Sequence, residues 1–548
     1  MDWWHVMAEL LFSPALWWGI GAGSAAFAAL AVFHKRLSPL WAALSALCMA
    51  GGVLLALLQG RTLEDALPLA LAVAAIALAG LCRKGGRGMN FNTLEYLLFL
   101  PAVLALHWAL PHRLRWMLLL AASWLFYFWW EPVAGLLLVA VILVTWLCGL
   151  GAAQARSPAA RAACLAAALG ACLGCLVLFK YAGFFARLAG GSPAWRLLLP
   201  AGISFYTFQS LSYVLDVYRG QTAPERHFGY YALFISFFPQ LVAGPIERSG
   251  RLLPQLRRER SLSRAQLSAG GWLLLAGYFK KVVVADGLAP LVNGVYAAPG
   301  TAGGPEVIAA TVLFGLQIYC DFSGYSDIAR GTARLLGVEL MENFQTPYAA
   351  RSVREFWRRW HISLTAWFTD YVYIPLGGSR KGLPRQCLNI MAVFLLSGLW
   401  HGADWTFVAW GGIHGLYQVC AVLAVRQSGP PVPQDRSLDV LRRGATFALV
   451  TFAWLFFRAE SMADAWTLLS RLGAGWGVAE AYLPAARQLP FVAAALACLH
   501  FLERLPACPP APSGRKTLAV SALLLAIGLG WWSSLSGGGG NAFIYFQF

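Results

Sequence analysis

Two histidines carry the chemistry this sequence offers. His361 sits in FWRRWHISLTAWFTDYVYIPLGG (356–378) and His401 in LLSGLWHGADWTF (395–407), each beside tryptophan in apolar surroundings. Imidazole is the side chain that gains and loses a proton near neutral pH, so the pair points to general acid–base work. A third polar place is LFGLQIYCDFSGYSDIARGTARLLG (313–337), where Asp321 and Asp327 flank Ser323, Tyr325 and Ser326. Arg330 and Arg334 follow Asp327 at helical spacing, so these three fall roughly on one face. That set reads either as an ion-pair ladder locking helices together or as a polar wall orienting a substrate.

The surroundings give each histidine its own alternatives. Trp357, Trp360, His361, Leu364, Phe368 and Tyr371 follow i, i+3, i+4 spacing, which predicts one amphipathic helix with Arg358, Arg359 and Ser363 largely opposite. Such a tryptophan-rich, arginine-flanked helix lies at a membrane interface or re-enters part-way, and does not span. His361 then faces the protein side, as a reactive group or as a satisfied core residue. His401 is bracketed by Gly398 and Gly402, whose spacing allows close helix packing or a backbone break beside the ring. His414 lacks polar neighbours and reads as structural.

These residues are set in a strongly apolar chain. Of 548 residues 59% are hydrophobic, and runs such as PVAGLLLVAVILVTWLCGL match the length of a bilayer crossing. The fold class is an all-α polytopic membrane protein, with about 14 to 16 membrane elements. The net charge of +17 lies in short loops between apolar runs, chiefly RSGRLLPQLRRERSLSR (248–264), HKR (34–36), CRKGGR (82–87) and SRKGLPR (379–385). That is positive-inside topology and argues against nucleic acid as a partner. The eleven cysteines are scattered, mostly within apolar runs. Cys172 and Cys175 fall inside a predicted span, so no disulfide, zinc or other metal site is expected.

No basic n-region with a cleavage site opens the chain, so no removed signal is expected. Apolar runs near 12–33, 38–58 and 66–82 precede a change of texture at Met89. Further spans are expected up to about Gly151, and at 163–185, 196–218, 267–290, 306–338, 387–400, 404–425, 444–457, 485–503 and 517–533. The stretch 230–246 is expected to stop at Gly244-Pro245, and 426–443 to form a polar loop. No GxSxG elbow, P-loop, dinucleotide fingerprint or HExxH helix occurs, which excludes the common hydrolase, NTPase, dinucleotide and metalloprotease readings.

Five ordered blocks carry a resemblance: SFYTFQSLSYVLDVYRG, FFPQLVAGPIER, DFSGYSDIARG, ENFQTPYAARSVREFWRRWHISLTAWFTDYVYIPLGG and LSGLWHGADWTFVAWGGIHG. From about Met89 to the closing FIYFQF the chain resembles the bacterial membrane-bound O-acyltransferase (MBOAT) family. The resemblance is to the branch that O-acetylates exported polysaccharides such as alginate; the D-alanine transferase of teichoic acids is more distant. It implies many transmembrane helices plus re-entrant or interfacial helices around a central tunnel. It divides the chain into an added module of two or three helices (1–88, or the product of an upstream start codon), a catalytic core (89–475) and closing transmembrane helices (476–548).

The resemblance makes His401 the catalytic residue and His361 the second signature position. It implies transfer of an acyl group from a cytoplasmic thioester, acetyl-CoA or an acyl carrier, with no bound cofactor. His401 would act as general base, and His361 would orient the acceptor or stabilise the oxyanion; an acyl-histidine or acyl-serine intermediate is an alternative. Asp321, Asn343, Trp400 and Tyr325 complete the expected site as substrate-positioning groups. The expected setting is multi-pass in the bacterial inner (plasma) membrane, among lipid, with a periplasmic or extracellular partner that takes the acyl group to the polysaccharide. A secondary transporter with an ion path through Asp321, Asp327 and the histidines is the rival from another class, and a catalytically degenerate scaffold is a third reading.

Overall fold

The computed structural model describes residues 89–191, 199–428, 438–477 and 543–544. The division at residue 88, the three apolar runs before it, and the expected spans at 485–503 and 517–533 lie outside the described residues.

The described residues are helical. α1 (Leu94–Ala109) and α2 (His112–Trp130) lead into α3 (Pro132–Gln154) and α4 (Pro158–Leu188). α5 (Ile203–Tyr218), α6 (Phe228–Ser236) and the amphipathic α7 (Ser249–Arg257) follow. Next come α8 (Arg264–Ala297) and α9 (Gly304–Leu335), then two short helices, α10 (Val353–Arg359) and α11 (Ile362–Phe368). α12 (Leu383–His401), α13 (Trp405–Ser428), α14 (Asp439–Arg458) and α15 (Met462–Arg471) complete the described elements. Among them α3, α4, α8, α9, α13 and α14 are six helices long and apolar enough to cross a membrane.

Two packed pairs frame the centre. α8 lies against α9 so closely that a Cβ on Gly277 would stand 2.7 Å from the carbonyl oxygen of Gly324. α12 and α13 meet in the same way: a Cβ on Gly398 would collide with the Phe407 carbonyl, and one on Gly411 with that of Phe394. Without hydrophobic drive between helices in lipid, backbone approach through small residues is what holds such pairs.

Two expectations are corrected. The stretch 230–246 is no continuous helix: α6 ends at Ser236, and residues 238–243 run as turns. The backbone leaves the helix at Phe237 (ψ 108°), two residues before Pro239, which has no N–H to continue the i→i−4 ladder; Gly244-Pro245 comes after the helix has already stopped. The predicted helix through His361 is broken as well. α10 ends at Arg359, Trp360 is extended (φ −108°, ψ 127°), and α11 begins only at Ile362. The strand-like segment 343–345 takes up the freed backbone groups. Gln345 N–H donates to the Arg359 carbonyl at 3.0 Å, and Ile362 N–H to the Asn343 carbonyl at 3.0 Å. Each of these helices has seven residues, about 10 Å of rise, so neither crosses a bilayer. Trp357, Trp360, His361, Leu364 and Phe368 still point inward, but so does Ser363, which the helical pattern placed opposite.

Candidate active site

His361 occupies the break. It is one of two non-glycine residues among the described ones with positive φ (46°, ψ 53°), a conformation that persists only where its surroundings impose it. Asn343 imposes it from the side. Its side-chain oxygen accepts from the Ser363 hydroxyl at 2.7 Å and the Ser363 N–H at 3.2 Å. The Ser363 hydroxyl in turn accepts from the Ile246 N–H at 3.1 Å. The backbone is thus pinned on both sides of His361, and the ring projects into the interior with no exposed surface.

His401 closes α12. Gly402 leaves the helix in extended conformation (φ −155°, ψ 148°), so the histidine is the last helical residue. The ring Nδ1 lies 2.7 Å from the Ser397 carbonyl. A carbonyl only accepts, so Nδ1 carries the proton and the lone pair of the neutral ring resides on Nε2. That is the tautomer a general base needs.

The two rings face each other with centroids 6.3 Å apart and planes at 81°. Aromatic residues from other helices line them. Phe205 of α5 stacks against His361 at 6.2 Å, and Phe322 of α9 meets it edge-on at 4.7 Å. Trp400 lies 6.0 Å from His361, and Trp410 of α13 lies 4.9 Å from His401. Phe457 of α14 completes the ring of contacts at 5.7 Å from His401.

The four expected positioning residues divide. Asn343 and Trp400 lie beside the histidines, and each has a buried N–H, Nδ2 and Nε1, with no partner among the described residues. Asp321 and Tyr325 lie elsewhere. Lys281 Nζ donates to Asp321 at 2.7 Å and to Asp286 at 2.8 Å, and the Ile544 N–H donates to Asp321 at 2.7 Å. Tyr325 stacks on Phe91 at 4.6 Å and meets Phe543 at 5.0 Å. The rest of that segment forms the ion-pair ladder. Lys280 reaches Asp327 at 2.9 Å, Arg330 reaches Glu342 at 3.1 Å, and Arg334 grips Glu339 with two bonds of 2.7 Å. His414, read as structural, accepts from Trp357 Nε1 at 3.2 Å and ties α13 to α10.

Sequence reasoning missed the lysines. Lys180, in LGCLVLFKYAGFF, and Lys280-Lys281, in FKKVVVA, are charges inside spans, the same signal that singled out Asp321. Both sets fall in π-turns, 177–181 and 279–285, which re-aim side chains and recur at functional positions.

The described residues thus form a helical, multi-pass membrane protein whose interior brings two imidazoles from separate elements edge to face. Residues 225–461 match the model of the MBOAT, membrane-bound O-acyltransferase family. The chain is 39% identical to a probable alginate O-acetylase of Azotobacter vinelandii over 70% of this chain and 78% of that one. It is 33% identical to a peptidoglycan O-acetyltransferase of Helicobacter pylori over 64% of this chain and 72% of the other. A teichoic acid D-alanyltransferase of Bacillus subtilis is 24% identical over 52% of this chain and 75% of its own. The chain belongs to the membrane-bound O-acyltransferase family and is an acyltransferase.

Proposed function

We propose that this enzyme O-acetylates an exported or cell-wall polysaccharide from within the bacterial inner membrane, drawing acetyl groups from a cytoplasmic thioester, acetyl-CoA. The observation that carries the reading is the 6.3 Å approach of the His361 and His401 rings from elements that only the tertiary fold brings together. The similarity to alginate and peptidoglycan O-acetylating enzymes supports acetyl as the group transferred.

His401 Nε2 takes the proton of the acceptor hydroxyl as its oxygen attacks the thioester carbonyl carbon. The C–S bond then breaks, the sulfur leaves as thiolate, and the proton held by His401 returns to it; the products are an O-acyl ester and a free thiol. A positioned base contributes about 10²–10⁴ in rate. His361 orients the acceptor, and the buried N–H groups of Asn343 and Trp400 stand as donors for the carbonyl oxygen as negative charge develops on it. A periplasmic or extracellular partner receives the acetyl group or carries it to the polymer. D-alanyl transfer from a carrier protein is the second reading, favoured by the more distant relative of that activity.

The test follows label from acetyl-CoA into polymer in membranes carrying wild type or His401→Ala at equal abundance. Loss of at least about 10²-fold is expected for the variant. Undiminished transfer by His401→Ala would overturn the assignment, label moving only from a D-alanyl carrier would select the second reading, and label crossing without ester formation would mark a transporter.

A further inference from the structure

The C-terminal end of α12 is secured by another helix. A helix leaves its last carbonyls without internal donors, and here each finds one. Gly398 O accepts from the Gly402 N–H at 3.2 Å, and Leu399 O from the Tyr181 hydroxyl at 3.0 Å. Trp400 O and His401 O both accept from Lys180 Nζ, at 2.6 and 3.1 Å. An ammonium has three donors, and the third goes to Ser204 Oγ at 3.3 Å. Ser204 precedes Phe205 on α5, the ring that stacks on His361.

We infer that Lys180, with its neighbour Tyr181, is a positioning device for acyl transfer: it clamps the carbonyl end of α12 and so holds His401 in register with His361. The inference rests on the reading of His401 as the base. The ammonium opposes the negative end of the α12 dipole, where a cation is favoured, and the π-turn at 177–181 lets consecutive side chains reach one helix end. All three N–H groups are committed to protein oxygens, so the lysine acts through His401 rather than on the thioester. Without it the last turn of α12 loses two donors while the Gly398–Gly411 contact still holds the helix on α13. The fold survives, and the base moves.

The test uses the full chain in membranes with labelled acetyl-CoA, at matched abundance, with thermal midpoints measured in detergent. Lys180→Met is expected to lower kcat about 10²-fold, the effect of displacing a reacting group by roughly 1 Å, with KM for acetyl-CoA unchanged. Lys180→Arg, which keeps charge and donors, recovers part of the loss; Tyr181→Phe, which removes a single donor, loses less. A raised KM with intact kcat would mean that Lys180 contacts the donor and would overturn the clamp, as would an unchanged kcat. If Lys180→Met does not accumulate, wild-type kcat in both Lys180→Arg and Tyr181→Phe overturns it instead. His401→Ala run alongside separates the two claims. An active His401→Ala sinks the base itself, whereas an inactive one beside a fully active Lys180→Met sinks only the clamp.

Discussion

Asn343 and Ser363 are joined twice: one amide oxygen accepts both the hydroxyl and the N–H of the serine, two residues beyond His361. Asn343→Ala leaves those donors buried without an acceptor, at a cost of about 1–3 kcal/mol. The expected outcome is a lower thermal midpoint together with lower kcat, because the same bonds set the backbone under His361. Asn343→Asp retains the acceptor and should keep the midpoint better than alanine. Equal midpoints for the two variants would show that the amide oxygen is not the anchoring atom.

The left-handed backbone at His361 separates fold from chemistry. Asparagine tolerates that conformation and valine does not. His361→Asn is therefore expected to accumulate normally yet transfer acetyl about 10²-fold more slowly. His361→Val is expected to lose abundance as well, since strain of about 1–3 kcal/mol is added in a site that already carries some. Quantitative immunoblotting beside the transfer assay checks both.

Asp321 and Lys281 make a structural prediction where the sequence suggested a substrate role. Asp321→Asn leaves Lys281 with Asp286 as its remaining carboxylate and should destabilise by about 3 kcal/mol. Activity per folded molecule is expected to stay near wild type. A fall in kcat at unchanged midpoint would instead restore Asp321 to the catalytic site.

The close approach of α12 and α13 can be tested with a matched control. A side chain at Gly398 meets the Phe407 carbonyl, whereas one at Gly174 meets nothing within 4 Å. Gly398→Val should separate the two helices and remove both abundance and transfer. Gly174→Ala should behave as wild type in the same membranes.

Much of this site is legible in the residues. The apolar runs locate the helices to within a few positions: 163–185 expected against Pro158–Leu188, and 267–290 against Arg264–Ala297. Both histidines are marked by being ionisable where polarity is costly, whereas Asn343 and Trp400 entered only with the family resemblance. The same cost argument reached Asp321 and could not tell structure from chemistry, because its partners are forty residues before it and over two hundred after it, at Lys281 and Ile544.

The resemblance in motif order supplied the acyltransferase reading, whereas composition and apolar run length determined by themselves that the chain is a multi-pass helical membrane protein with His361 and His401 as its reactive candidates. Local rules suffice for that, since hydropathy and the desolvation cost of a charge belong to each segment alone. Only the tertiary structure decided that the helix breaks at His361, that Asp321 pairs with Lys281 and Tyr325 packs on Phe91, and that Lys180 bonds the end of α12. Those outcomes depend on which backbone carbonyl or carboxylate arrives from a distant segment, and the partners are named by packing rather than by spacing along the chain.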